Sequence, residues 1–461
     1  MTSLWALAAA VALFVLLGLL GSRFAAALAA PADGLLYRGV IYTMAGTVAL
    51  HLVLTALDFA GVRWSLPVLA ASLLLIAGAA TMASAPGTGN GVVGRGEGVR
   101  VFGREEFAWG DALALFALAV FTALALTGWI AMPDFFYHWG IKAYRFYLTR
   151  GVDYPYLAQA WNWSIHPEYP NLVPEMFAVT ALLGGSFDVP AMMLRTAVLF
   201  ALFVAACREG LRQGEVQPFV QQAGTALVAL SGGAFAIGYI MGGAADWNLT
   251  LAFAAAVPPL LRPPDRTGDF QIAVIAAFAA ASKLEGVPLG GFLVAVQVFR
   301  HVWSERRLNL KPAIAMGVVP AAVVLAWAGR ATHHHLVQVL DSGRLDPARA
   351  GEIFGGVAEA LWNPAWHGFL PIMLLPPLLL VSRRTRVFAV VATLELLFYF
   401  YVYFTSPVGN YRYFVLSNFA RLGFQLIPAC IVAALVAWEA APKSERPAGL
   451  PSAGPPAAPV S

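Results

Sequence analysis

Apolar runs follow one another along most of the chain, broken by short polar, proline-rich or glycine-rich stretches. The first four are Leu4–Leu20, Leu35–Leu57, Leu66–Ala80 and Ala112–Ala131. After a polar, aromatic interval come Leu172–Leu183, Val189–Ala206, Ala223–Ile240, Leu249–Leu261, Ile272–Ala281, Val287–Val298 and Ala313–Ala328. The last three are Phe369–Val381, Val387–Phe404 and Leu422–Trp438. A straight membrane span needs roughly 20 apolar residues. Several runs are shorter than that, as expected of tilted, paired or partly inserted helices. The pattern predicts an all-α, polytopic transmembrane bundle of about 13 spans, with an outer loop carrying interfacial helices.

Composition agrees. Of the 461 residues, 59% are hydrophobic and only 12% charged, about half the usual soluble share. So much apolar surface does not fit inside one soluble core. The two cysteines, Cys207 and Cys430, lie in or beside apolar runs, so neither a disulfide framework nor a zinc site is expected. The first run has no basic flank before it. "AAALAAPAD" at its exit imitates a signal-peptidase site, but the run reads as a retained first span. Residues 1–111 then form N-terminal transmembrane helices with a glycine-rich cytoplasmic loop. Residues 112–440 form the core with its loop 132–170, and 441–461 are a Pro/Ala-rich tail expected to be disordered.

The net charge of +4 matters through where the cations lie. Arg95, Arg100 and Arg104 form one basic group, Arg306, Arg307 and Lys311 a second, Arg383, Arg384 and Arg386 a third, and Lys443 with Arg446 a fourth. The positive-inside rule makes these cytoplasmic, in what would be the inner (plasma) membrane. Residues 132–170, 283–285, 332–366 and 405–421 then face outward. Parity between the first of these loops and Asp246 requires one of the three intervening runs not to cross. Leu172–Leu183, short and preceded by Pro170 and Pro174-interrupted, is the candidate.

The stretch "MPDFFYHWGIKAYRFYLTRG" carries the densest chemistry. Pro133 suits a first helical turn, where its missing amide is no loss. A helix from Asp134 to Leu148 places Asp134, His138, Lys142 and Arg145 on one face. Its aromatics suit a membrane interface. The plain alternative is an amphipathic interface helix with internal ion pairs, Lys142 and Arg145 touching anionic lipid. The loop continues through His166, Glu168 and Glu175 among prolines. Lys283 and Glu285 interrupt apolar sequence in "AASKLEGVPL", where an ion needs a partner or a polar cavity, or forms a local pair in a turn. Asp246 is a site group or a helix cap. Arg412 and Arg421 lie in "NYRYFVLSNFARLGFQLIP", and Arg421 could simply snorkel. His333–His335 cannot share one helix face and lack flanking ligands, so metal binding is not expected there. "GTGNGVVGRGEG" has no strand before it and no Lys-Ser/Thr, so it reads as linker.

"PDFFYHWGIKA" followed by "HPEYPNLVPEMFAVTALLGG" resembles the first outer loop and next helix of GT-C-type integral-membrane glycosyltransferases, most closely the bacterial branch of lipid A and lipopolysaccharide sugar transferases. "ASKLEG" is similar to that family's Lys-rich turn, and "SNFARLGFQLIPA" to its late Arg-x-x-x-Gln-x-x-Pro helix. The resemblance covers roughly Asp134 to Ala429. It implies a polyprenyl-phosphate-linked sugar as donor and a lipid or glycan acceptor at the outer membrane face. Membrane lipid is the further partner, and no nucleic acid is expected. It implies Asp134 as catalytic base, with Lys142, Arg145, His166, Lys283 and Arg421 toward the donor phosphate. His138, Glu175, Asp246, Glu285 and Arg412 become supporting or acceptor residues. No cofactor is called for. Phe135 stands where the family often has a second acid, which weakens a metal-dependent version. The first three spans precede the family's usual start. A transporter or flippase for a lipid-linked or anionic solute is the alternative. Such proteins often show internal repeats and charges at mid-membrane. Here no repeat is visible and the charged motifs gather at one expected face.

Overall fold

A computed structural model describes residues 4–83, 108–128, 131, 133–239, 242–306, 310–336, 345–406 and 410–441. Arg95, Arg100, Arg104, Met132, Arg307, the glycine-rich linker and the tail with Lys443 and Arg446 lie outside these residues. Regular structure among the described residues is helical, with one isolated bridge between Ala131 and Gly242. Seven helices there are long and apolar enough to cross a membrane, the longest being Tyr411–Ala440. Leu66–Met82 and Leu172–Gly184 are shorter apolar helices. These helices mark a multi-pass membrane protein.

One predicted run is not a single helix. Phe369–Val381 breaks into a 3-10 turn at Leu370–Leu374 and a short helix at Pro376–Leu379. Pro371, Pro376 and Pro377 each lack an amide hydrogen, so a continuous hydrogen-bond ladder cannot pass through them.

The Asp246–Leu261 helix forms the axis of the bundle. Nearly all of it is buried, and it packs against Val189–Gln213, Tyr411–Ala440 and Arg266–Ser282. It is apolar on every side because neighbours cover every side. The N-terminal helices belong to the same body. Leu4–Ser22 and Leu35–Phe59 lie backbone to backbone, and Gly46 allows it: a Cβ there would overlap the Leu17 carbonyl. Tyr37 donates to the Ala255 carbonyl at 2.8 Å, tying this pair to the axial helix. The main hydrophobic core spans Leu13 to Val436, and Ala6, Ala10 and Ala191 form a small second cluster.

The axial helix ends in charge at both termini. At its far end Arg262 pairs with Asp33 at 2.6 Å. Asp33 also accepts from Gln271, Gln213 and the Ala30 amide, so its charge is fully partnered. At the near end stands Asp246, around which the candidate site is built.

Candidate functional site

Asp246 is fully buried at the first turn of the axial helix. Its Oδ1 accepts from Gln425 Nε2 at 2.7 Å and faces Lys283 Nζ at 3.4 Å. Its Oδ2 accepts from Arg421 Nη2 at 2.8 Å. A buried charge survives only when paired and hydrogen-bonded, and three donors from two other helical segments meet that need. Arg421 and Gln425 sit one turn apart on the same helix, so both reach the one carboxylate. Asp246 is therefore no simple helix cap, and the N-cap position itself is taken by Ala245.

Arg421 does not stop at Asp246. The same Nη2 lies 2.6 Å from Asp134 Oδ2, so one guanidinium bridges two carboxylates. Asp134 keeps about a fifth of its side chain exposed, whereas Asp246 has none. Lys283, in the turn between two helices, also pairs with Glu285 at 2.9 Å. Gly286 makes that turn possible, since a Cβ there would meet the Ala279 carbonyl.

The Asp134 segment departs from the regular helix expected. Phe135–Trp139 is a π turn, and an α-helix follows at Gly140–Thr149. Single π turns recur at functional sites because they re-aim side chains. Asp134 meets His138 at 3.8 Å. Lys142 points inward, fully buried, over the Trp139 ring, and donates to the His166 carbonyl at 3.0 Å. Phe135, Trp139 and Phe146 are core residues, while Phe136, Tyr137 and Tyr144 stay exposed. Only part of the aromatic set is thus available to an interface.

His166 sits at a left-handed backbone position (φ 50°) just after a 3-10 turn. Its ring lies between His138, 4.9 Å away, and Tyr169, 4.6 Å away. Glu168 approaches His166 Nδ1 at 3.3 Å. A non-glycine residue in this conformation is held there by its surroundings. Burial pulls the Lys142 ammonium down to about 7, with the Glu168 carboxylate opposing. Burial also pulls His138 down to about 4. Asp134 opposes this, and His166, Lys142 and Arg421 add to it.

Of the residues singled out in the sequence, Asp134, His138, Lys142, His166, Asp246, Lys283, Glu285 and Arg421 come together. Three do not. Arg145 turns aside to Asp153, with two bonds at 2.9 and 2.5 Å. Glu175 pairs with His51 at 2.6 Å in a separate narrow cavity lined by Asn171, Asp58, Tyr154 and Arg330. Arg412 makes an exposed pair with Glu359 at 2.6 Å. His334 stacks on Tyr154 at 3.8 Å. Among the described residues, no three His, Cys, Asp or Glu side chains gather as a metal would require.

Sequence reasoning passed over Tyr399, Glu395 and Arg195, and met Gln425 only as the glutamine of the Arg-x-x-x-Gln-x-x-Pro motif, with no role given to it. Tyr399 donates to Gln425 at 2.6 Å and so steadies the amide that holds Asp246. Glu395 lies one turn before Tyr399, wholly buried. Arg195 donates to Asn248 at 2.7 Å, and Asn248 to Ser282 at 2.9 Å, bracing the residues next to Asp246 and Lys283. The available signal was a lone charge inside an apolar run, "VATLELLFYF" for Glu395 and "MMLRTAVLF" for Arg195.

The cluster can do two things. It offers fixed cations to an anion, and it offers one partly open carboxylate that could take a proton. No family model, curated protein or solved structure matches this chain.

Proposed function

We propose that this protein is a GT-C-like membrane glycosyltransferase that moves a sugar from a polyprenyl-phosphate donor to an acceptor hydroxyl at the outer face of the membrane. The observation that carries the reading is the sharing of Arg421 between Asp134 and Asp246, with Lys283 on the other side of Asp246.

The two acids are not equivalent, and the difference assigns their roles. Asp246 has no exposure and three donors, so it holds cations and is closed to a substrate proton. Asp134 is partly open and bound on one side by Arg421. An anionic donor competes with Asp134 for that guanidinium, because Arg pairs with phosphate oxygens as readily as with carboxylate. Drawing Arg421 toward phosphate leaves Asp134 as a freer base.

In the transfer step the acceptor hydroxyl oxygen bonds to the anomeric carbon, and its proton passes to Asp134. The bond from that carbon to the phosphate oxygen breaks, and its electron pair leaves on the polyprenyl phosphate. The donor phosphate is a diester with one charge, whereas the leaving phosphate gains a second. Arg421, Lys283 and Lys142 therefore act more strongly on the transition state than on the bound donor, which is what catalysis requires. A general acid is not needed, since a phosphate is already a good leaving group.

The decisive measurement is turnover by purified Asp134→Asn with a lipid-linked donor. Asparagine keeps the shape but accepts no proton in this role. A fall of about 10²–10⁴-fold with donor binding retained is expected. Near-normal turnover would remove Asp134 as base.

A further inference from the structure

Several polar atoms buried around the cation cluster have no hydrogen-bond partner: His138 Nδ1, Trp139 Nε1, Glu168 Oε2, Glu285 Oε2 and both carboxyl oxygens of Glu395. Native proteins leave few such atoms unsatisfied, because each lost its water on burial and gained nothing back. Glu395 is the extreme case. It has no exposure, sits inside the apolar Arg386–Thr405 helix, and occupies a position where leucine would pack. Asp33, the comparable buried acid at the other end of the axial helix, accepts from Arg262, Gln271, Gln213 and a backbone amide. A carboxyl kept for structure looks like Asp33. Glu395 does not.

Its surroundings say where it belongs. It interacts with Tyr399 and Glu285. Tyr399 leads through Gln425 to Asp246, and Glu285 is the partner of Lys283. Glu395 therefore stands beside the cluster, close to a Tyr399 hydroxyl whose proton is given to Gln425. Such a wall offers phosphate no cation and suits a ligand rich in hydroxyl groups.

We propose that Glu395, with Glu285, reads the hydroxyl groups of the sugar being transferred. This assignment rests on the transferase reading. It divides the site in two: Lys142, Lys283 and Arg421 take the phosphate, and the two glutamates take the ring. The division fixes which way the donor lies, because reversing it would take the phosphate away from its cations.

The test measures binding to full-length protein in lipid nanodiscs. The probes are bare undecaprenyl phosphate, the same lipid carrying glucose, galactose, mannose or arabinose, and monodeoxy analogues of whichever sugar binds tightest. In the wild type, deleting at least one hydroxyl should weaken binding about tenfold, the scale of one well-made hydrogen bond. In Glu395→Leu the same deletion should have no further effect, while bare undecaprenyl phosphate binds as before. Glu395→Gln keeps the shape and one acceptor, and should lose less. Thermal unfolding of the ligand-free Leu variant should occur at or above the wild-type temperature, since an unpartnered buried carboxyl has been removed. A lower temperature would make Glu395 structural and overturn the proposal, as would equal sensitivity to every hydroxyl deletion in wild type and Glu395→Leu. Failure of the wild type to bind undecaprenyl phosphate at all would overturn the transferase reading and this assignment with it.

Discussion

Arg421 Nη2 lies 2.6 Å from Asp134 Oδ2, and this contact joins the end of the bundle built by the last helix to a segment that enters the fold far earlier in the chain. In the proposed transfer this pair is the resting state: the more open acid is held by the cation that a donor phosphate would claim. Asp246 holds the same nitrogen from the buried side, so the guanidinium stays in place whichever partner it serves.

Asp134 and Asp246 should therefore separate cleanly on substitution. Asp246→Asn leaves Lys283 and Arg421 buried around a neutral amide. Breaking a buried ion pair from one side typically costs about 3–5 kcal/mol, so unfolding temperature should drop sharply together with activity. Asp134→Asn should lose activity with little loss of stability. Thermal unfolding of both variants in the same detergent checks the contrast, and equal destabilisation would argue against it.

On the proposed reading, the burial of Lys142 gives donor binding a pH dependence whose sign can be worked out. Its ammonium is charged below about 7 and neutral above, whereas an unfolded lysine stays charged to about 10.4. Attraction for a sugar-phosphate diester, whose own charge is constant there, is thus present at pH 6 and fades as pH rises through 7. Donor affinity should weaken between pH 6 and 8, and Lys142→Arg should flatten that slope. His138, charged only below about 4, takes no part in this window. A slope that survives in Lys142→Arg would assign it elsewhere.

Arg412 should be dispensable. Its pair with Glu359 is solvent-exposed on both sides, and such pairs contribute about 0–1 kcal/mol. Arg412→Ala should keep turnover within about twofold of wild type. A loss comparable to that of Arg421→Met would place Arg412 in the site after all.

Gly46→Val should disrupt folding. Its side chain would enter the backbone of Leu17, and overpacking of this kind typically costs about 1–3 kcal/mol or more. Size-exclusion profiles of the variant in detergent should show a reduced monodisperse fraction. An unchanged profile would show that the first two helices can separate without harm.

Orientation is open to a direct measurement. Single cysteines at Gly151, in the loop after the Asp134 segment, and at Arg384, in the basic turn, should label differently in intact cells. A membrane-impermeant maleimide should reach the first and not the second. The reverse pattern would place the site on the cytoplasmic face and exclude an outer acceptor.

What the sequence by itself determined is the part of this protein that depends on local composition. Apolar runs such as Leu35–Leu57 and Val387–Phe404 become helices close to their expected bounds, because transfer of a run into an apolar setting is nearly additive along the run. Ions stranded in such sequence, Lys283 and Arg421 among them, were legible as site candidates because an ion there needs a partner. Which partner it finds is not a local property. Asp246, Lys283 and Arg421 reach one another only because three helical segments pack at the same end of the bundle. Lys142 faces inward and Arg145 outward to Asp153, although both stood on one expected face, where the π turn begins the segment. Glu175 looked like part of the same loop chemistry and went instead to His51, on a helix contributed by the N-terminal region. Glu395 carried the signal of one acid in an apolar run, and only the packing of its helix sets it near Glu285. Hydrophobicity is read residue by residue, whereas the pairing of charges depends on distances that only the packed helices set.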